Sequence, residues 1–208
     1  MPKADWKKNT MKKLLGAEGL WPWKDSEIIS ILDVACGLSL KSKYLPAKIR
    51  VGVDIYDEYF KHIEADVPYV VVKYDVRKLQ DIFVPKSFDI VIGIDILEHL
   101  EKEESFELMR QCEEIATKAV IFETTKGFSP QDIDIWGHGG HHWQTHRSGY
   151  EISDFKKRGY KTLVRDYVMS DIKRHSKLDV DPHIELIDAI KFIKPTKKSA
   201  TRSKAKKG

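Results

Sequence analysis

The sequence predicts an α/β fold, a doubly wound and mainly parallel sheet finished by an antiparallel hairpin. Three observations carry this. Continuous Val/Ile runs at 69–75 and 88–96 are the signature of parallel strands covered on both faces. Five β-α steps are followed by two alternating segments with no helix between them. The first apolar run ends in an acid and a turn of small residues, Asp33 to Gly37, before a helical pattern begins.

In chain order, residues 2–15 have a helical pattern with Trp6, Thr10, Leu14 and Met11 on one side. Leu20-Trp21-Pro22-Trp23 breaks it, either as a lid over a ligand mouth or as packing at the domain edge. Ile29, Ile31 and Leu32 form the first strand, Ala35-Cys36-Gly37 a tight turn, and Ser39 to Tyr44 the first turns of a helix. Strands at 50–55, 69–75 and 88–96 follow, with helices over 56–65 and 79–83 between them. Phe106, Met109, Cys112 and Ala116 recur at helical spacing over 103–117, and 119–125 is the fifth strand. A long connection over 126–148, rich in Gly, His and Trp, is of a length that usually has a function or lacks order. A helix over 150–158 stops at Gly159; strands at 160–168 and 187–193 flank a polar loop at 169–185, and Pro195 closes the domain.

The 208 residues thus divide into an N-terminal helical segment (1–25), one domain (26–195) and a low-complexity tail (196–208). No apolar run reaches the roughly 20 residues of a membrane span, and the first residues lack the apolar core of a secretory signal, so the expectation is a cytoplasmic protein without a membrane partner. Cys36 and Cys112 make no disulfide framework and no C-x-x-C pair; both are expected reduced and buried. Six Lys and Arg residues in the tail turn a remainder of −2 into a net charge of +4. That tail is expected to be solvated, and it offers a grip for nucleic acid.

Taken together, ILDVACGLS, the strand-end acids Asp54 and Asp75, and FDIVIGIDILEHL resemble the class I S-adenosylmethionine-dependent methyltransferases over residues 27–193. The resemblance implies a Rossmann-like seven-stranded mixed sheet in the order 3-2-1-4-5-7-6, with one antiparallel strand and helices on both faces. It also implies S-adenosylmethionine as cofactor. The turn from Asp33 through Ala35, Cys36 and Gly37 would wrap its methionine part. Asp54, with Ile55 beside it, would bind the ribose hydroxyls, which suit an acceptor-only carboxylate. Asp75 would meet the adenine amino group, with the Val76 backbone by the ring, and Asp95 would close the site after the fourth strand. Ala35 and Ser39 replace the outer glycines of the family turn. A nicotinamide-binding turn would want glycine where Leu40 stands.

On the acceptor side, the motifs of amino-directed and cytosine C5 enzymes are absent, and Leu97-Glu98-His99-Leu100 resembles small-molecule methyltransferases. A hydroxyl acceptor must lose a proton, so His99, His142 and His146 are the catalytic candidates; His138 and His141 share the same loop. The bland alternatives are a His99 that only fixes its loop and a polar surface segment anchored by Trp136 and Trp143. The expected acceptor is an oxygen of a small molecule or glycan, without a metal. Asp95-x-x-Glu98-His99 with a later histidine also resembles metal-assisted O-methyltransferases of RNA and of quinone-type hydroxyls. A non-catalytic S-adenosylmethionine-binding protein is the third alternative.

Overall fold

The computed structural model describes residues 11–38, 42, 45–63, 69–168 and 183–194. The expected helix over 39–44, the end of the helix over 56–65, the greater part of the loop at 169–185, Pro195, the basic tail and the helical positions of Trp6 and Thr10 lie outside these residues.

Seven strands form one sheet: β1 (Ser30–Val34), β2 (Ile49–Asp54), β3 (Tyr69–Lys73), β4 (Phe88–Ile94), β5 (Ala116–Thr125), β6 (Lys161–Val168) and β7 (His183–Phe192). Their order is β3-β2-β1-β4-β5-β7-β6. The β1, β2, β3, β4 and β5 contacts are parallel, and β7 runs antiparallel to both β5 and β6. The doubly wound sheet with its antiparallel finish is therefore present.

Alternation along the central strands sorts the core into two layers. Leu32, Val91, Val120 and Phe122 pack with Leu108, Met109, Cys112 and Ile115 of helix α2 (Lys102–Ile115) and with Phe155. Ile31, Ile90, Ile92, Ile121 and Ile190 face the other way, against Leu15 of α1 (Met11–Ala17), Leu20, Trp21, Ile28 and Leu45. The aromatic segment is an edge packing and not a lid: Trp21 meets Trp23 at 5.4 Å, and Trp23 meets Phe192 at 5.6 Å. Phe192 pairs with Ala119 near the start of β5, at the opposite edge of the sheet from the strand-end acids.

Local chemistry sets the element ends. Helix α2 starts where the Glu101 amide donates to Glu104 at 3.2 Å. Beyond β5, α3 (His141–Gln144) is one turn inside the long connection, and α4 (Ile152–Lys156) is shorter than the expected 150–158. The chain leaves α4 at Gly159, whose φ of +84° is left-handed. The helix expected over 56–65 is a 3-10 helix, Asp57–His62. A 3-10 turn eclipses residues three apart, so Tyr56, Tyr59 and His62 line up as one ridge. The polar loop is shorter than expected because β7 begins at His183.

Candidate active site

The site candidates collect at the carboxyl ends of β1, β2 and β4, where an open parallel sheet leaves a crevice. Asp33, one residue before the end of β1, is buried and accepts hydrogen bonds from the Tyr69 hydroxyl at 2.7 Å and from Ser42 Oγ. Tyr69 reaches Asp33 across β2 because Gly52, the register partner of Asp33, has no side chain: a Cβ there would stand 2.7 Å from both Cys36 Sγ and Tyr69 Cε1.

The turn that follows is strained in a useful way. Ala35 and Gly37 are left-handed, with φ of 56° and 47°, and so is Asp95 at 52°, beyond the end of β4. Because Val34 is in register with Gly93, the two bends lie side by side. The Cys36 amide donates to Val53 O at 3.0 Å. Burial above all, then the Asp33 and Asp54 carboxylates, pushes the Cys36 thiol up.

Asp54 is 7% exposed, and backbone groups aim both of its oxygens. The Gly37 amide donates to Oδ2 at 2.9 Å and the Tyr56 amide to Oδ1 at 2.9 Å. Burial raises its pKa, and the amides of Tyr56, Gly37 and Ile55 oppose that rise. Asp75 lies two residues beyond β3 and caps the next 3-10 turn, taking the Arg77 amide at 3.0 Å and the Arg77 guanidinium on both oxygens. This pairing holds Asp75 below the usual carboxylate range. Val76 is buried in the core and Ile55 is half-buried beside Asp54.

The long connection after β5 is a closed loop. Gly127 and Tyr150 exchange backbone hydrogen bonds at 2.7 and 3.3 Å, so residues 128–149 leave and rejoin the domain at one neck. Gly149 is obligatory there, since a Cβ would lie 2.6 Å from the Phe128 amide nitrogen. The expectation of a functional or disordered connection resolves into an ordered loop. Its returning limb is tied to the turn after β4: the Arg147 and Ser148 amides donate to Glu98 O at 2.7 and 3.2 Å, and Arg147 Nη1 donates to His99 O at 2.6 Å. Tyr150, fully buried, donates to Leu97 O at 3.1 Å.

This tying brings His99 and His146 together, with ring centroids 4.8 Å apart. Each Nδ1 faces a backbone carbonyl, Thr145 O at 3.4 Å for His99 and Ser129 O for His146. A carbonyl only accepts, so Nδ1 carries the proton and Nε2 is the accepting nitrogen of each ring. Burial first, then the facing His146, lowers His99 to about 4. His142 is not part of this pair; it is exposed, with its ring edge-on to Trp143 at 4.6 Å. Glu98 is buried and takes a hydrogen bond from Thr124 Oγ1 at 2.7 Å, and among the described residues no group of three or more His, Cys, Asp or Glu side chains is arranged to hold a metal ion.

Behind these turns sits a buried ion group. Arg165 donates to Asp188 at 2.7 Å and to Glu123, whose carbonyl in turn receives the Asp95 amide at 2.9 Å. Burial, then the Glu123 charge, raises Asp188 to about 6.

Asp54, an acceptor-only carboxylate aimed by two amides, has the chemistry to take the hydroxyls of a ribose. The sequence matches the methyltransferase-domain family over residues 32–119, the span that holds these strand ends. Residues 32–119 thus match a methyltransferase domain, and the sheet has the strand order that the resemblance to class I S-adenosylmethionine-dependent methyltransferases implies. Solved structures share the fold of this chain at low identity. One is an S-adenosylmethionine-dependent methyltransferase from Archaeoglobus fulgidus, 18% identical, with a TM-score of 0.54 over 86% of this chain and 92% of that one. Another, from Clostridium acetobutylicum, is 12% identical with a TM-score of 0.56 over 92% and 93%. A magnesium protoporphyrin IX methyltransferase from Synechocystis, with S-adenosylhomocysteine bound, is 16% identical with a TM-score of 0.51 over 86% and 80%. Among curated proteins none matches this sequence. The family match and the shared fold support an S-adenosylmethionine-dependent methyltransferase. No described helix is long and apolar enough to cross a membrane.

Sequence reasoning missed Tyr69, Ser42, Arg147 and the ridge of Tyr56, Tyr59 and His62. It also missed Asp134, which accepts from the amides of Trp136, His138 and Gly140, each at 2.9 Å. An Asp two, four and six residues before these positions is a readable turn signal.

Proposed function

We propose that the enzyme methylates an oxygen of a small molecule or glycan, with His146 as the general base and His99 as its neutral partner. The His99–His146 pair carries this reading. Both rings present Nε2 as an acceptor, and His99 stays uncharged at neutral pH, so it does not repel the proton His146 takes up. S-adenosylmethionine, when bound, supplies an electrophilic methyl on a sulfonium. The chain's part is to hold the acceptor oxygen in line with that methyl and to receive its proton. Asp54 with Ile55 takes the ribose, the turn of Asp33, Ala35, Cys36 and Gly37 the methionine part, Asp75 and the Val76 backbone the adenine, and Asp95 closes the crevice. His142, on the outer side of the loop, is left as an acceptor contact.

The metal-assisted reading is disfavoured because Glu98 is already committed to Thr124 in a buried position. Methyl transfer from labelled S-adenosylmethionine to panels of hydroxyl compounds, sugars, amines and RNA, each with and without chelator, tests the proposal. The expected result is O-methyl product, insensitive to chelation and lost in His146→Gln. N-methylated product, or turnover abolished by chelator and restored by Mg²⁺, would overturn it.

A further inference from the structure

Gly37 has no side chain, and Trp136 uses the space. A Cβ on Gly37 would stand 2.7 Å from Trp136 Cη2 and 2.8 Å from Cζ3, so the indole lies flush against the glycine. The amide of that glycine is bonded to Asp54 Oδ2, which sets the ring beside the carboxylate given above to the ribose. Side chains from two places hold the ring there. Asp134 gathers the amides of Trp136, His138 and Gly140 and winds 134–140 into a compact turn. The ridge after Asp54 grips that turn: the Tyr56 hydroxyl donates to His138 O at 2.8 Å, the His62 and His138 rings stack at 3.8 Å, and Tyr59 meets Trp136 edge-on at 4.9 Å. Gly139 and Gly140 make the grip close, since a Cβ on Gly140 would stand 2.0 Å from the Tyr59 hydroxyl oxygen and one on Gly139 3.1 Å from that of Tyr56.

We propose that Trp136 gates the cofactor site: its indole and the cofactor compete for one face of Gly37, so the cofactor binds only when the 134–140 turn swings off the Tyr56–Tyr59–His62 ridge. The proposal rests on the assignment of Asp54 and the Gly37 turn to the cofactor. Two bodies cannot share a contact this close, and the ridge contacts decide how often the face is open. The apparent rate of cofactor binding is then the intrinsic rate reduced by the open fraction.

The test measures association and dissociation of S-adenosylhomocysteine by surface plasmon resonance on the full-length protein, wild type and variants. Trp136→Ala removes the competing ring, and its association rate is expected to rise about tenfold, as for a gate open about one-tenth of the time. Tyr56→Phe deletes one grip on the turn and leaves Gly37 untouched, so its rate should rise by a smaller factor. That variant also decides the matter if Trp136→Ala does not fold. Association no faster than wild type in these variants, with binding still weakened in Asp54→Ala, overturns the gate and spares the cofactor assignment. Wild-type binding in Asp54→Ala overturns the assignment and the gate together.

Discussion

The two halves of the crevice are built by different means. On the half proposed for the cofactor, backbone amides near the strand ends aim the acids: Asp54 by Gly37 and Tyr56, Asp75 in part by Arg77 two residues on. On the half proposed for the acceptor, nothing local places His99 against His146. A glycine neck, the Arg147 guanidinium and the buried Tyr150 hydroxyl do it from a distance, with Glu123, Arg165 and Asp188 as the foundation. Asp54, held by amides, depends little on remote side chains, whereas the His99–His146 pair, held by a few long-range polar contacts, stands or falls with each of them.

The largest test of this contrast is Arg165→Leu. It leaves Glu123 and Asp188 buried together without their cation, and losing one partner of a buried ion group costs about 3–5 kcal/mol. Denaturant melts check it, and a loss below about 1 kcal/mol would mean that the ion group is no foundation. On the other half, Asp54→Ala should weaken S-adenosylhomocysteine by about 1.5–3 kcal/mol, the worth of charge-assisted bonds, while turnover per bound cofactor changes less. Calorimetry with unchanged affinity would break the cofactor half of the comparison.

What could be read in the sequence follows the same division. The turn after β1 and the acids Asp33, Asp54 and Asp75 stand out because strand ends and small-residue turns are local patterns. The ridge did not, since Tyr56, Tyr59 and His62 fit a helical pattern as well as a 3-10 turn, and the docked loop that covers them lies far along the chain. Arg165 carries no local signal, since alternation along a strand does not say which charge will meet a partner. Its partners emerge only from the register that sets β7 between β5 and β6. Arg147 gave no signal, because its work is to reach a turn separated from it by helix α2 and strand β5.

Two smaller effects sharpen the picture. Arg147→Ala removes donors to the carbonyls of His99, Thr145 and His142 and should cost about 2 kcal/mol of stability. Methyl transfer should fall while cofactor affinity holds; equal loss of both would erase the division into halves. His99 gives a pH signature. Its folded pKa of about 4 lies below the ordinary 6.5, so its contribution to stability is present above pH 6.5 and drains away as pH falls towards 4. At pH 5 that amounts to about 2 kcal/mol relative to pH 7, and His99→Gln should remove it. Denaturant melts at the two pH values decide it, and an unchanged pH slope in the variant would show that His99 is not held neutral.

The buried thiols turn this architecture into a clock. Cys36 lies inside the cofactor turn, its sulfur kept protonated by burial and by two neighbouring carboxylates, and a protonated thiol is a poor nucleophile. Cys112 is fully buried in α2, in the main core layer. A maleimide should therefore label Cys112 only when the whole domain unfolds, and Cys36 whenever the turn peels away from Val53. The ratio of the two labelling rates, read peptide by peptide in a mass spectrometer, measures how often the cofactor turn opens while the rest of the protein stays folded.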